Sequence, residues 1–156
     1  MDDPIATRLM LPGEEAAVLA LVERVFHQFV AGDLDPEGVR EFLKAARSFV
    51  LDTPPNHFVV VAAQGDEIVG MIDVKDDDHV SLFFVDPARH GEGLGRRLLE
   101  AGIDLCRTHR PGVRAVDVHS SLWAVPVYAH LGFEQTHPEQ EINGIRFVTM
   151  VLDLSR

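Results

Sequence analysis

Cysteine is almost missing from this chain. Cys106 is the single one among 156 residues, so no internal disulfide framework can staple the fold. A lone thiol of this kind is expected to be a buried small side chain. Basic residues are also scarce. The 14 Lys and Arg are outnumbered by 25 Asp and Glu, a formal net charge of −11, which argues against nucleic acid as a partner. It is compatible with a cationic or amine substrate, although acidity also simply keeps a protein soluble. No apolar run approaches the ~20 residues that cross a bilayer, so no membrane association is expected. The N-terminal stretch MDDPIATR is acidic and lacks the apolar core of a signal peptide; the cytoplasm is the simplest compartment. No Gly-Lys-Ser/Thr occurs, which excludes the Walker phosphate loop. The 8 histidines are scattered singly without metal-ligand spacing, so no metal is expected.

The length suits one domain, residues 1–156, with room for a core. Ile5–Leu11 reads as a strand, and Pro12-Gly13-Glu14-Glu15 opens a helix with an acidic first turn. Val18, Leu21, Val22, Val25, Phe26, Phe29 and Val30 recur at three- and four-residue spacing, giving that helix one apolar face. Asp35-Pro36 starts a second helix, with Asp as cap and Pro at the first position. Three strands follow, His57–Ala63, Glu67–Lys75 and His79–Val85. A long helix runs to about His109, where Pro111-Gly112 stops the chain. Val113–His119 reads as a strand and Ser121–Leu131 as a short helix ended by Gly132. Two last strands, about Phe133–Thr136 and Ile145–Leu152, flank a polar connection holding Asn143-Gly144. The order β–α–α–β–β–β–α–β–α–β–β predicts an α/β (α+β) fold, a mixed sheet of about seven strands with helices on both faces.

The densest signal is VDPARHGEGLGRRLL, Val85 to Leu99. A strand ends at Asp86-Pro87, glycines stand at 91, 93 and 95, and an amphipathic helix begins at once. Such a junction aims backbone N–H groups and the positive end of a helix dipole at one spot. Its natural ligand is a phosphate or pyrophosphate. A dinucleotide-binding unit would carry its glycines after the first strand, whereas here they follow the fourth.

Two motifs resemble those of the GNAT superfamily of N-acetyltransferases. The acyl-CoA pyrophosphate loop, Arg/Gln-x-x-Gly-x-Gly/Ala, is matched by His90-Gly91-Glu92-Gly93-Leu94-Gly95, with His90 in the leading place. The pattern Asn-x-x-Ala-x-x-x-Tyr followed by Gly-Phe is matched by Ser121, Ala124, Tyr128 and Gly132-Phe133, with Ser121 replacing Asn. The resemblance covers nearly the whole chain. It implies a GNAT fold with a mostly antiparallel sheet, and transfer of an acetyl group from acetyl-CoA to a primary amine of a small molecule or protein, without an acyl-enzyme and without a metal. It also implies binding positions. Main-chain groups of Phe83, Phe84 and Val85 would meet the pantetheine arm, and His90, Gly91, Glu92, Gly93, Leu94, Gly95 and Arg96 would hold the pyrophosphate. Ser121 would be a further cofactor contact. A homodimer is compatible with the sequence.

Acetyl transfer from a thioester needs a deprotonated amine, a donor for the oxyanion and an acid for the departing thiolate. Tyr128 is the only tyrosine and stands where the family keeps its proton donor. For the base, the position of the glutamate used by the ribosomal-protein-acetylating branch holds Val116, which cannot act. The histone-acetylating branch keeps its glutamate six residues ahead of the last apolar residue of the strand before the loop. That position is His79, and histidine is a residue type well suited to base catalysis near neutrality. Asp117 and His119 share one face of the next strand and could form an orienting pair or a water relay. Trp123 lines the acceptor pocket or packs in the core. Two other readings stay open: a non-catalytic acyl-CoA sensor, and a partner-binding protein on the same scaffold.

Overall fold

The computed structural model describes residues 3–155; the expected domain bounds at Met1 and Arg156 lie outside them. The strands are β1 (Ile5–Leu9), β2 (His57–Gln64), β3 (Glu67–Lys75), β4 (His79–Val85), β5 (Ala115–Ser120), β6 (Glu134–Gln135), β7 (Gln140–Ile142) and β8 (Ile145–Asp153). The helices are α1 (Glu15–Phe29), α2 (Pro36–Arg47), α3 (Leu94–His109) and α4 (Val125–His130). The sheet runs β1-β2-β3-β4-β5-β8-β6, with β7 paired to β8. Every pairing is antiparallel except β4 with β5.

The alternation along the central strands sorts the core into two layers. Val60, Ala62, Ile72 and Val74 pack with Leu94, Leu98 and Cys106 of α3 on one face. Val59, Val61, Met71 and Leu82 pack with Val18, Leu21, Val22 and Val25 of α1 on the other. Helices thus cover both faces, as the element order predicts. Cys106 is buried in the α3 layer, and burial pushes its thiol up to about 12. A thiol so held is a packing group and not a nucleophile.

Three local readings are refined. Asp35 occupies the cap position of α2 with extended backbone, but its side chain makes no capping hydrogen bond; Pro36 fills the first turn. The short helix expected over 121–131 is helical only at Val125–His130, because 122–124 form a turn held by the Ser121 hydroxyl, which accepts from the Ala124 N–H at 3.2 Å. The polar connection after β6 contains an eighth strand, β7. It pairs with β8 around Asn143-Gly144, both with left-handed backbone, as a two-residue hairpin turn demands.

That hairpin docks on α2. A Cβ on Gly38 would lie 2.0 Å from the Gly144 carbonyl oxygen. Only a glycine lets the backbones approach so closely. Gly38→Ala is therefore expected to destabilise the protein by about 2 kcal/mol or more, read by urea denaturation, because two backbones must separate. Unchanged stability would show that the hairpin does not lean on α2.

Candidate active site

The site begins where β4 and β5 stop pairing. Only His79 with Asp117 and Val80 with Val118 are in register between them. The pairing of β3 with β4 jumps from Val74–Val80 to Asp73–Leu82, leaving Ser81 as an extra residue. A bulge of this kind bends its strand and ends pairing. Past it, β4 stays on β3 through Val85 while β5 stays on β8 through Ser120, and the two halves of the sheet part.

A cavity of about 520 Å³ fills the gap on the α3 side. Its floor is Phe83 and Val85, its mouth the glycine loop, and its far wall Ala124, Val127, Tyr128 and Leu131. The loop is shaped by Asp86, whose carboxylate accepts from the Ala88 N–H at 2.9 Å and starts a short turn over Pro87–Arg89. Gly91 and Gly93 follow at φ +86° and +78°, a region open to glycine, and helix α3 starts at Leu94. The first N–H groups of the helix, at Leu94, Gly95 and Arg96, have no backbone acceptor within it. Arg89 and Arg96 stand beside them on the cavity wall. Such an arrangement of donors and positive charge suits an anion.

Tyr128 joins that cavity to a second, smaller one of about 90 Å³, for it lines both. Phe83 and Phe133 pack edge-on against its ring, with centroids 5.9 and 5.2 Å away. Among the described residues its hydroxyl is bonded to no protein group. Burial pushes the phenol pKa well up, so the hydroxyl keeps its proton at neutral pH. The inner cavity is walled by aromatic rings. Trp123 stacks on Phe29 at 4.5 Å, and Phe42 and Phe84 meet edge to face at 6.1 Å. Trp123 keeps 41 % of its surface exposed, although large aromatics usually bury.

Behind the inner cavity lies a polar group on β4 and β5. His79 Nδ1 is 2.7 Å from an Asp117 carboxylate oxygen, and the His79 and His119 rings meet edge to face at 4.9 Å. His119 also stacks on Phe147 at 4.4 Å. The His79 hydrogen bond pulls the Asp117 pKa down, while burial, with the His79 charge second, pulls that of His119 down. His119 lines the inner cavity with Tyr128; His79 does not, and faces an open groove shared with Asp117 and His119. Further in, His57 and Asp73 form a buried pair at 2.6 Å, and the second Asp73 oxygen has no hydrogen-bond partner among the described residues.

The sequence of residues 30–154 matches the family model described as the acetyltransferase (GNAT) domain. The chain belongs to the GNAT acetyltransferase family. Solved structures agree on the fold. A GCN5-related N-acetyltransferase from Rhodopseudomonas palustris superposes with a TM-score of 0.80 at 23% identity, covering 99% of this chain and 98% of that one. The PaiA N-acetyltransferase of Thermoplasma acidophilum, solved in complex with coenzyme A, gives 0.75 at 13% identity, over 96% and 99% of the chains. The ribosomal-protein-S18-alanine N-acetyltransferase of Escherichia coli gives 0.69 at 18% identity, over 98% and 96%. No protein in a search of curated proteins matches.

Most positions assigned from the GNAT motifs converge. Phe83, Val85, His90, Gly91, Gly93, Leu94, Gly95, Arg96 and Tyr128 all line the larger cavity. Phe84 and Ser121 line the inner one instead, and the Ser121 hydroxyl is already engaged at Ala124. Glu92 lines neither, standing exposed with a carboxylate oxygen 3.7 Å from Arg89. His90 reaches back to the Val85 carbonyl at 3.1 Å and thereby braces the loop against β4. His79 is brought to Asp117 and His119 and not to Tyr128. Sequence reasoning passes over Arg89 and Val127, whose only signal is their place beside the two motifs. Among the described residues no helix is long and apolar enough to cross a membrane.

Burial raises the Asp73 pKa to about 6, and the His57 hydrogen bond and the His57 and His79 charges only partly oppose it. An unfolded aspartate titrates near ~3.9, so the fold favours the protonated acid. The stability this group contributes is full below about pH 4 and is lost as pH rises through about 6. Asp73→Asn mimics the protonated acid. Its Tm relative to the parent protein is expected to climb across that window, and a pH-independent difference would contradict the assignment.

Proposed function

We propose that this acetyltransferase moves an acetyl group from acetyl-CoA to a primary amine of a small molecule or protein, by direct attack within a ternary complex. The observation that carries the reading is Tyr128, a protonated phenol without a protein partner where the two cavities meet. The donor fits the residues present. Free N–H groups at Leu94, Gly95 and Arg96, with Arg89 and Arg96 alongside, suit a pyrophosphate, and the edge of β4 freed at Phe83–Val85 suits an extended amide-bearing arm lying as an added strand. Acetyl-CoA supplies the activated thioester.

The protein's own groups then do the remaining work. The aromatic inner cavity holds the amine against the thioester and excludes water. As nitrogen bonds to the acyl carbon and the carbon–sulfur bond breaks, Tyr128 gives its proton to sulfur. The ammonium proton leaves in the other direction. His119, whose pKa partial burial lowers, is the imidazole on the cavity wall; His79, braced by Asp117, is the base behind it. Val116 leaves no carboxylate at the position where one branch of the family keeps its glutamate. The aqueous cytoplasm suits such a reaction.

CoA and acetyl-CoA are expected to raise the Tm, and NAD and ATP to leave it where it is; no response to any CoA ester would overturn the reading. Tyr128→Phe should lower kcat on the best acceptor of an amine panel by about a hundred-fold or more while keeping the CoA-induced Tm shift. Binding without turnover on any amine would favour the acyl-CoA sensor.

A further inference from the structure

A second binding function lies beside the acyl-transfer site. The parallel register sets His79 of β4 against Asp117 of β5, and the two-residue repeat of a strand puts His119 on the same face. One donor atom from each of the three side chains lies within 4.8 Å of the others. The groove that holds them has a volume of about 490 Å³, opens to solvent, and carries Asp76 and Asp78 on its rim; Lys75 is its one ammonium.

We propose that His79, Asp117 and His119 form a site for a borderline divalent transition metal of the Zn²⁺ or Co²⁺ type. Two imidazoles and one carboxylate are the donor set such ions take, with remaining positions left to water. Mg²⁺ and Ca²⁺ prefer oxygen ligands throughout and fit this set poorly. Two features prepare the site. Asp117 already holds the His79 ring at 2.7 Å, and Phe147 stacked at 4.4 Å fixes the plane of His119. Metal–ligand bonds of ~2.0–2.2 Å in a tetrahedral site set donor atoms ~3.3–3.5 Å apart, so ligation opens the 2.7 Å contact between His79 and Asp117 and draws in any donor lying farther out, by side-chain rotation.

Metal binding has a consequence for turnover. His119 borders the inner cavity as well as the groove, so an ion there takes the imidazole that faces the acceptor. The site is inhibitory, and that part rests on the proposed acetyl transfer; the binding itself does not.

The test uses the full chain stripped with chelator and titrated with Zn²⁺ by calorimetry and with Co²⁺ by visible absorption. One equivalent is expected to bind. His119→Ala and Asp117→Asn should each weaken it by about ten-fold or more, whereas His109→Ala, at a neighbouring histidine outside the cluster, should not. Absence of saturable binding, or binding indifferent to His119→Ala, overturns the site. If either variant fails to fold, Co²⁺ on the unaltered protein decides instead: two paramagnetically shifted imidazoles support the site, and none or one refutes it. Zn²⁺ should also suppress acetyl transfer, with EDTA restoring it. Zn²⁺ bound at one equivalent with turnover unchanged overturns the inhibitory role and leaves the acetyl transfer intact.

Discussion

Two residue pairs hold β4 to β5, and the proposed active site depends on their being only two. A fully paired parallel ladder would close the sheet and leave no place for a ligand. The extra residue at Ser81 ends the pairing, and the β3 and β8 partners carry the two strands apart. Backbone groups that would have been paired with each other then become an edge inside the molecule. An unpaired edge is normally a liability, open to any other chain. Here it lies among α3, α4 and the aromatic side chains of α1 and α2, and its proposed occupant is the slender, amide-bearing arm of the donor.

The same parting fixes the positions of the chemistry. The glycine loop follows the free end of β4, so its N–H groups face the mouth of the gap. The free end of β5 leads into the Ser121 turn and α4, which swing Tyr128 into the middle. The glycine loop, the freed edge and the phenol border one cavity because one strand pair opens. The polar cluster stands where that pair is still closed, and His119 is the residue common to both zones.

Much of this was legible in the sequence, for physical reasons. Proline and glycine punctuate the loop and the short helix, and three-four periodicity marks α1, α2 and α3, so element type and order could be read locally. The assignment of Tyr128 and of the loop rested on two motifs in fixed order. Other features depend on non-local register and could not be read. His79 and Asp117 are opposed only because two distant strands align, so histidines that look scattered along the chain meet in space. The strand β7 carries no sequence signal, because Gln140 and Glu141 are polar and exposed and show no apolar alternation. Glu92 lies within the glycine motif, yet its side chain stands exposed beside Arg89 and outside both cavities.

The central claim is that the opened strand edge and the loop together grip coenzyme A. Amide hydrogen exchange with and without CoA tests it most directly. The account predicts new protection concentrated at Phe83–Val85 and Gly91–Arg96, with β1 and β7 unaffected. Protection confined to other segments, or none at saturating CoA, would contradict it.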